Sequence, residues 1–311
     1  MSPELSSAIG QIEKVIVGKR GVIEKIFMAL LCDGHILLDD IPGVGKTTLA
    51  LALSRATGLK YRRIQFTPDV LPSDIVGFSM YDKDTGGFYY RPGALTGVNL
   101  VLGDEINRAS SRTQSALLEA MEERQVTVDG TTHPMEKPFC VIATQNSVGA
   151  VGTQPLPYAQ LDRFLICTTI GYPDHDAQIA MLRDRQQGDP MDGVDNVLST
   201  ERITEMQREA ALVTVKDSIL DYISRLAIAS REHHMTELGI SPRGAIYISR
   251  MAKAHAYIDG RDYVTGGDVQ AVFGDVCAHR ILLKQDTAVA PREVLDELLR
   301  AVKSPDHRTL R

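Results

Sequence analysis

The first apolar pattern along the chain is helical. Between residues 22 and 31, Ile23, Ile26, Phe27 and Leu30 recur at the spacing of one helix face. The pattern then changes to His35-Ile36-Leu37-Leu38, a short continuous run that ends in a Gly/Pro-rich turn and leads into a helical stretch over residues 47–55. That order predicts strand, loop, helix. Further buried strands are predicted at residues 98–102, 139–143 and 165–170, with a helix from about 110 to 123 on which Leu117, Leu118 and Met121 share a face. Continuous apolar strands alternating with helices indicate a mostly parallel sheet covered on both sides.

Two segments interrupt this alternation. Residues 125–135 alternate around Val126 and Val128 and turn at Asp129-Gly130, a short-range hairpin signal. Residues 77–94 behave similarly, with a turn near Asp84-Thr85-Gly86-Gly87 between Phe78/Met80 and Phe88/Tyr89/Tyr90. Beyond Tyr172-Pro173 the patterns become long and amphipathic, at residues 177–185, 200–212 and 218–232. Ser241-Pro242 has the form of a helix start, Ser as cap and Pro in the first turn, and Thr265 to Asp268 resembles another. The Gly/Asp/Pro-rich residues 186–196 read as a loop. The expected organisation is an α/β core over residues 1–173 and an all-helical domain over residues 174–311.

Composition narrows the function classes. With 43% hydrophobic and 24% charged residues, the 311-residue chain can bury one large or two modest cores. The formal net charge of -6, with no long Lys/Arg cluster, argues against non-specific gripping of nucleic acid. The four cysteines, Cys32, Cys140, Cys167 and Cys277, are widely spaced and form no CxxC pair, as expected of free thiols in a reducing compartment. Residues 1–10 carry no basic start followed by an apolar stretch, and the apolar run at 26–32 is too short to span a bilayer. A soluble cytoplasmic protein is expected.

The chemistry concentrates at the ends of the predicted strands. Asp40-Ile41-Pro42-Gly43-Val44-Gly45-Lys46-Thr47 joins strand to helix. Glycines let backbone N–H groups turn onto an anion, a lysine meets outer phosphates, a hydroxyl holds Mg2+, and the helix N-terminus favours negative charge. Gly43, Gly45, Lys46 and Thr47 supply these parts, and Pro42, Val44 and Thr48 complete the expected nucleotide-binding segment. Asp40 stands where the strict pattern starts with Gly, and as a short polar residue it is expected to tolerate an unusual backbone angle there. The second strand ends in Asp104-Glu105, suited to holding Mg2+ (Asp104) and polarising an attacking water (Glu105). The third ends in Thr144-Gln145-Asn146, where Asn146 can hydrogen-bond water or terminal phosphate. In Leu161-Asp162-Arg163-Phe164, Arg163 sits in a turn before the next strand, positioned to neutralise a transferring phosphoryl group. Alone it would read as one half of a surface ion pair with Asp162 or Glu119.

Together these stretches resemble the MoxR family of AAA+ ATPases. The resemblance runs through residues 36–48, 65–77 (QFTPDVLPSDIVG), 104–109 (DEINRA), 115–123, 141–146, 152–164 and 239–245 (GISPRGA), nearly the whole chain. It implies a P-loop NTPase three-layer fold with a helical lid, with Lys46 and Thr47 in Walker A, Asp104 and Glu105 in Walker B, and Asn146 as sensor 1. It further implies Arg163 as an arginine finger acting on a neighbouring subunit's ATP, Arg243 as the sensor-2 arginine, and Val17-Gly18 as the segment near adenine. The two hairpins match the insertions of the helix-2-insert and pre-sensor-1 group, which also contains magnesium chelatase ATPase subunits. Ser147 stands where the family usually has Pro, which is expected to change loop stiffness and leave the chemistry intact. Members are regarded as chaperone-like remodelling factors, often linked to von Willebrand factor A domain partners, and several are associated with metal or cofactor insertion.

Other function classes fit less well. No Asn-Lys-x-Asp sequence follows the third strand, which favours ATP over GTP. A DNA-translocating motor calls for a basic pore loop, yet the hairpin at 126–135 has one His and no Lys or Arg. A non-hydrolysing scaffold has no use for Glu105, Asn146 and Arg163. His233-His234, predicted on a helix, would point to different faces and make poor co-ligands, so no protein-ligated metal is expected beyond nucleotide-bound Mg2+. The expected assembly is a hexameric ring with a protein client.

Overall fold

The structure is a computed structural model and describes residues 1–146, 153–186, 188–285 and 287–305. Its first half runs α1 (Pro3–Glu13), α2 (Arg20–Leu31), β1 (Ile36–Asp39), α3 (Lys46–Thr57), β2 (Tyr61–Gln65), α4 (Pro72–Val76), β3 (Gly77–Asp82), β4 (Gly87–Pro92), β5 (Leu100–Asp104), α5 (Ser111–Glu123), β6 (Gln125–Val128), β7 (Thr131–Pro134), β8 (Cys140–Gln145), α6 (Tyr158–Leu161) and β9 (Ile166–Thr168). The second half contains α7 (His175–Asp184), α8 (Thr200–Leu212), α9 (Asp217–Glu232), β10 (Thr236–Leu238), α10 (Pro242–Ile258), α11 (Gly266–Cys277), β11 (Leu282–Leu283) and α12 (Pro291–Ala301).

The central sheet has the order β2-β5-β8-β1-β9, and every pairing in it is parallel. β5 is buried at all five positions and β8 at all but its last, as interior strands covered on both faces must be. Alternation along β1 separates two apolar cores. Ile36 and Leu38 face α1, α2, α3 and the C-terminal helices, whereas Leu37 faces the side of α5, Phe66, Phe139 and Phe164. The result is the three-layer α/β arrangement.

Helix starts follow local chemistry. Ser110 caps α5 by accepting from Thr113 N, Ser241 caps α10 by accepting from Gly244 N, and Thr265 and Asp268 cap each other at α11. Both hairpins form. In β6–β7 the two-residue turn Asp129-Gly130 has φ of 48° and 79°, the positive pair that suits the twist of a tight hairpin. The ring of Tyr90 on β4 stacks on His133 of β7 at 3.7 Å and so joins the two hairpins.

The C-terminal helices form the lid, and α10 packs on α2, α8, α9 and α11. A small antiparallel ribbon, β10–β11, adds to this otherwise helical unit. One strand was not anticipated, and two expectations need correction. β2, with the pattern Tyr-Arg-Arg-Ile-Gln and one buried position, has no apolar run to betray it, because it is an edge strand. α9 ends at Glu232, so His233 and His234 are not helical; their rings lie 4.6 Å apart, and His233 Nε2 is 3.4 Å from Glu297. Asp40 does not adopt a left-handed backbone, and its carboxylate has a different task, described below. Ser147 lies outside the described residues.

Candidate functional site

The phosphate loop leaves the carboxyl end of β1 and enters α3 at Lys46. Gly43 (φ 82°) and Gly45 (φ 95°) sit in the left-handed region, where any side chain would cost about 1–2 kcal/mol per position. Such a turn lets backbone N–H groups face an anion ahead of a helix whose N-terminus favours negative charge. Asp40 fixes the loop's root, as its carboxylate accepts from Ile41 N (2.9 Å), Ile170 N (2.6 Å) and Gly171 N (2.8 Å), tying the strand end to the end of β9. This staple, rather than backbone freedom, accounts for an acid at that position.

Lys46 is buried, and its ammonium donates to Asp40 O at 2.7 Å and to Asn146 Oδ1 at 2.6 Å. Burial lowers its pKa, opposed by the nearby Asp40, Asp104, Asp39 and Glu105 carboxylates. Asn146 then donates from Nδ2 to Glu105 Oε1 at 2.8 Å. One polar chain thus joins the loop lysine, the end of β8 and the end of β5. Thr144 organises the two acids: its hydroxyl donates to Asp104 Oδ1 at 2.7 Å and accepts from Glu105 N at 2.9 Å. Glu105 itself has φ 57° and ψ 50°. A glutamate held in the left-handed region stores on the order of 1 kcal/mol or more, and such strain clusters at working sites.

Arginines neutralise both acids. Arg63 on β2 lies 2.7 Å from Asp104 Oδ2, and Arg108 lies 2.9 Å from Glu105 Oε2, which also accepts from Gln65 Nε2 at 3.2 Å. Sequence reasoning missed Arg63 because β2 was invisible to it; Gln65 and Arg108 stood within quoted motifs without an assigned task. Thr47 and Thr48 occupy the first turn of α3, half-buried. Ile16 packs over Gly45, which sets Val17-Gly18 beside the loop and against Ala177 at the start of α7. A hydroxyl and a carboxylate, both hard oxygen donors beside an anion-directed loop, fit Mg2+ carried by a nucleotide.

Arg163 and Arg243 stand elsewhere. Both pair with Glu122 near the end of α5, Arg163 through Nε at 2.8 Å and Arg243 through its terminal nitrogen. The adjacent Met121 carbonyl lies 3.0 Å from Nε2 of His35, which precedes β1, so this cluster is at the amino end of that strand, opposite the phosphate loop. Val141 N donates to His35 Nδ1 at 2.9 Å, leaving Nε2 as the protonated donor, and burial holds the ring's pKa well below its ordinary value. Asp162 brings the arginines together. It accepts from the cap hydroxyl Ser241 at 3.0 Å and from buried Arg280 at 2.8 Å, so the turn carrying Arg163 and the helix start carrying Arg243 are joined. A cavity of about 170 Å³ there is lined by Arg124, Arg163, Arg243 and Arg250, with Glu122 and Asp33.

Two other features do not coincide with this chemistry. A cavity of about 770 Å³ lies among α8, α9, α10 and the end of α2, and its lining includes none of the nucleotide residues. His255, Asp259 and Asp268 are close enough to hold a metal among the described residues, but Asp268 already receives Arg261, His255 and Thr265. That cluster is a lid-internal ion pair network.

Known proteins share the fold and much of the sequence. Residues 35–166 match the profile of the ATPase family associated with various cellular activities (AAA), and residues 228–300 match the AAA lid domain. The chain is 44% identical to the uncharacterized protein YeaC of Bacillus subtilis, over 99% of this chain and 97% of that one. It is 37% identical to Chaperone MoxR1 of Mycobacterium tuberculosis, over 97% of this chain and 82% of the relative. A crystal structure of a candidate ATPase from Cytophaga hutchinsonii superposes with a TM-score of 0.89 at 35% identity, covering 97% of this chain and 95% of the other.

Proposed function

Because the chain belongs to the MoxR family of AAA+ ATPases, we propose that it hydrolyses ATP in a ring of identical subunits and uses the cycle to remodel a protein client. The observation that carries this reading is the unbroken contact chain from Lys46 through Asn146 to Glu105. It connects the group that meets the outer phosphates to the group that polarises water, through one amide able to register both.

In this reading Gly43, Gly45 and the flanking Pro42, Val44 and Thr48 cradle the phosphates, Lys46 meets the β- and γ-phosphates, and Val17-Gly18 borders the adenine. Mg2+, held by Thr47 and Asp104, would supply charge neutralisation on the outer phosphates. Glu105 orients the attacking water and accepts its proton, and Asn146 holds Glu105 and the terminal phosphate in register. Arg163 and Arg243 act on the ATP of the next subunit, because Glu122 keeps them at the end of the sheet away from their own loop. A ring closes this geometry, six subunits being the expected number.

The client side rests on surface chemistry. The β3–β4 hairpin exposes Tyr81, Phe88 and Tyr89, apolar surface that suits contact with another protein. A relative named a chaperone supports a protein client, and the family resemblance makes a von Willebrand factor A domain protein the expected kind. Among the described residues no helix is long and apolar enough to cross a membrane, in keeping with a cytoplasmic site of action. Calorimetry with ATP and Mg2+ tests the reading: saturable heat is expected from the wild-type chain, and none would end it. A pull-down with the ATP-holding Glu105→Gln variant then identifies the client.

A further inference from the structure

We propose that Arg63 is a resident counter-ion that holds the metal's place on Asp104 while the site is empty, so that metal–nucleotide binds by exchange for a guanidinium. This rests on the nucleotide reading above. Asp104 has one carboxylate oxygen committed to the Thr144 hydroxyl; the other, Oδ2, carries Arg63 at 2.7 Å. Its side chain is only 12% exposed, and a carboxylate so far from water needs a neutralising partner or a metal.

Arg63 is built to leave. Its side chain is 47% exposed on an edge strand, so the guanidinium can move into solvent without opening either core. Residues 61, 63 and 65 share one face of β2, and the pairing of Gln65 with Asp104 brings that face to the acid. Gln65 Oε1 accepts from the same guanidinium nitrogen at 2.7 Å, which aims Arg63 at Asp104. Arg62 provides an internal contrast: it lies on the opposite face, and its guanidinium donates to the Gly93 and Ala94 carbonyls. Of two consecutive arginines, only Arg63 stands at the position that Mg2+ would claim.

Exchange has a consequence that a purely structural ion pair lacks. With Arg63 present, its guanidinium offsets the negative charge of Asp104 toward phosphate even without metal. With Arg63 removed, the bare carboxylate repels metal-free nucleotide but receives Mg2+ without a competitor. The test is fluorescent ADP titrated into wild type, Arg63→Ala, Arg63→Lys and Arg62→Ala, each with excess Mg2+ and with EDTA. The ratio of Kd in EDTA to Kd in Mg2+ should rise roughly fivefold in Arg63→Ala, the scale of a half-exposed ion pair. Arg63→Lys should return it toward wild type, and Arg62→Ala should leave it unchanged. An unaltered ratio in Arg63→Ala, equal weakening under both conditions, or the same shift in Arg62→Ala would overturn the exchange while leaving the nucleotide reading intact. A wild-type protein that binds no ADP with Mg2+ would remove the nucleotide reading itself, and the exchange with it.

Discussion

The two ends of β1 are chemically unlike. At the carboxyl end, charged groups have polar partners within the chain: Lys46 donates to Asn146 and a strand-end carbonyl, Asp104 pairs with Arg63, and Glu105 pairs with Arg108 and accepts from Asn146. At the amino end, four guanidiniums line a small cavity, and Glu122 and Asp33 are the acids lining it among the described residues. At the first end each acid has a cation of its own chain beside it. The second has positive charge to lend. A single subunit cannot join them, because they lie at opposite ends of the sheet; in the proposed ring a neighbouring copy would.

Arg163→Ala should break the comparison most severely. Turnover is expected to fall about a thousandfold or more, the usual worth of an arginine supplied to a phosphoryl-transfer site, with ATP affinity nearly unchanged. Steady-state ATPase rates beside nucleotide titration check this. Glu105→Gln, at the other end, should lower kcat by about a hundredfold or more while ATP stays bound. Rapid-quench measurement of bound ATP reads that outcome. Lys46→Ala should act on binding, weakening ATP by about a hundredfold through loss of a charge-assisted contact to phosphate.

Glu122→Ala sharpens the comparison. It leaves Arg163 and Arg243 in the chain but removes their shared anchor, so an approximately tenfold loss of turnover is expected, well short of the loss in Arg163→Ala. The smallest effect belongs to the lid. The hydrogen bond to Asp268 raises the pKa of His255, so this pair contributes stability that is complete below the unfolded-state value of about 6.5. That contribution is lost as pH rises through the elevated folded value. Over that window Tm should fall by a few °C in the wild type, and His255→Gln should flatten the fall without altering ATP affinity at either end. Differential scanning calorimetry across pH checks it.

The carboxyl end was legible in the sequence because its parts sit where patterns change. Gly43 and Gly45 mark a strand-to-helix turn, Asp104-Glu105 and Asn146 end continuous apolar strands, and the hairpins declare themselves through alternation and Asp129-Gly130. What escaped was chemistry on elements without an apolar signature. β2 is an edge strand with one buried position, so Arg63 and Gln65 could not be aligned with the acids they touch. The staple formed by Asp40 depends on Ile170 and Gly171, more than a hundred residues away, and no local rule reports such a partner. Arg163 and Arg243 were each identified, but their meeting on Glu122 depends on the Asp162–Ser241 bond between core and lid. Periodicity carries local geometry; contacts between remote strand ends and helix caps need the folded chain.

The central claim is that the two ends of β1 serve one reaction in different subunits. Mixing purified Arg163→Ala and Glu105→Gln proteins tests it most directly, since the first retains its water-polarising acid and the second its arginine. ATPase activity should appear in the mixture well above either protein alone, peaking at intermediate ratios. Activity that stays at the level of the separate variants across every ratio, in assemblies verified to contain both, would contradict the account.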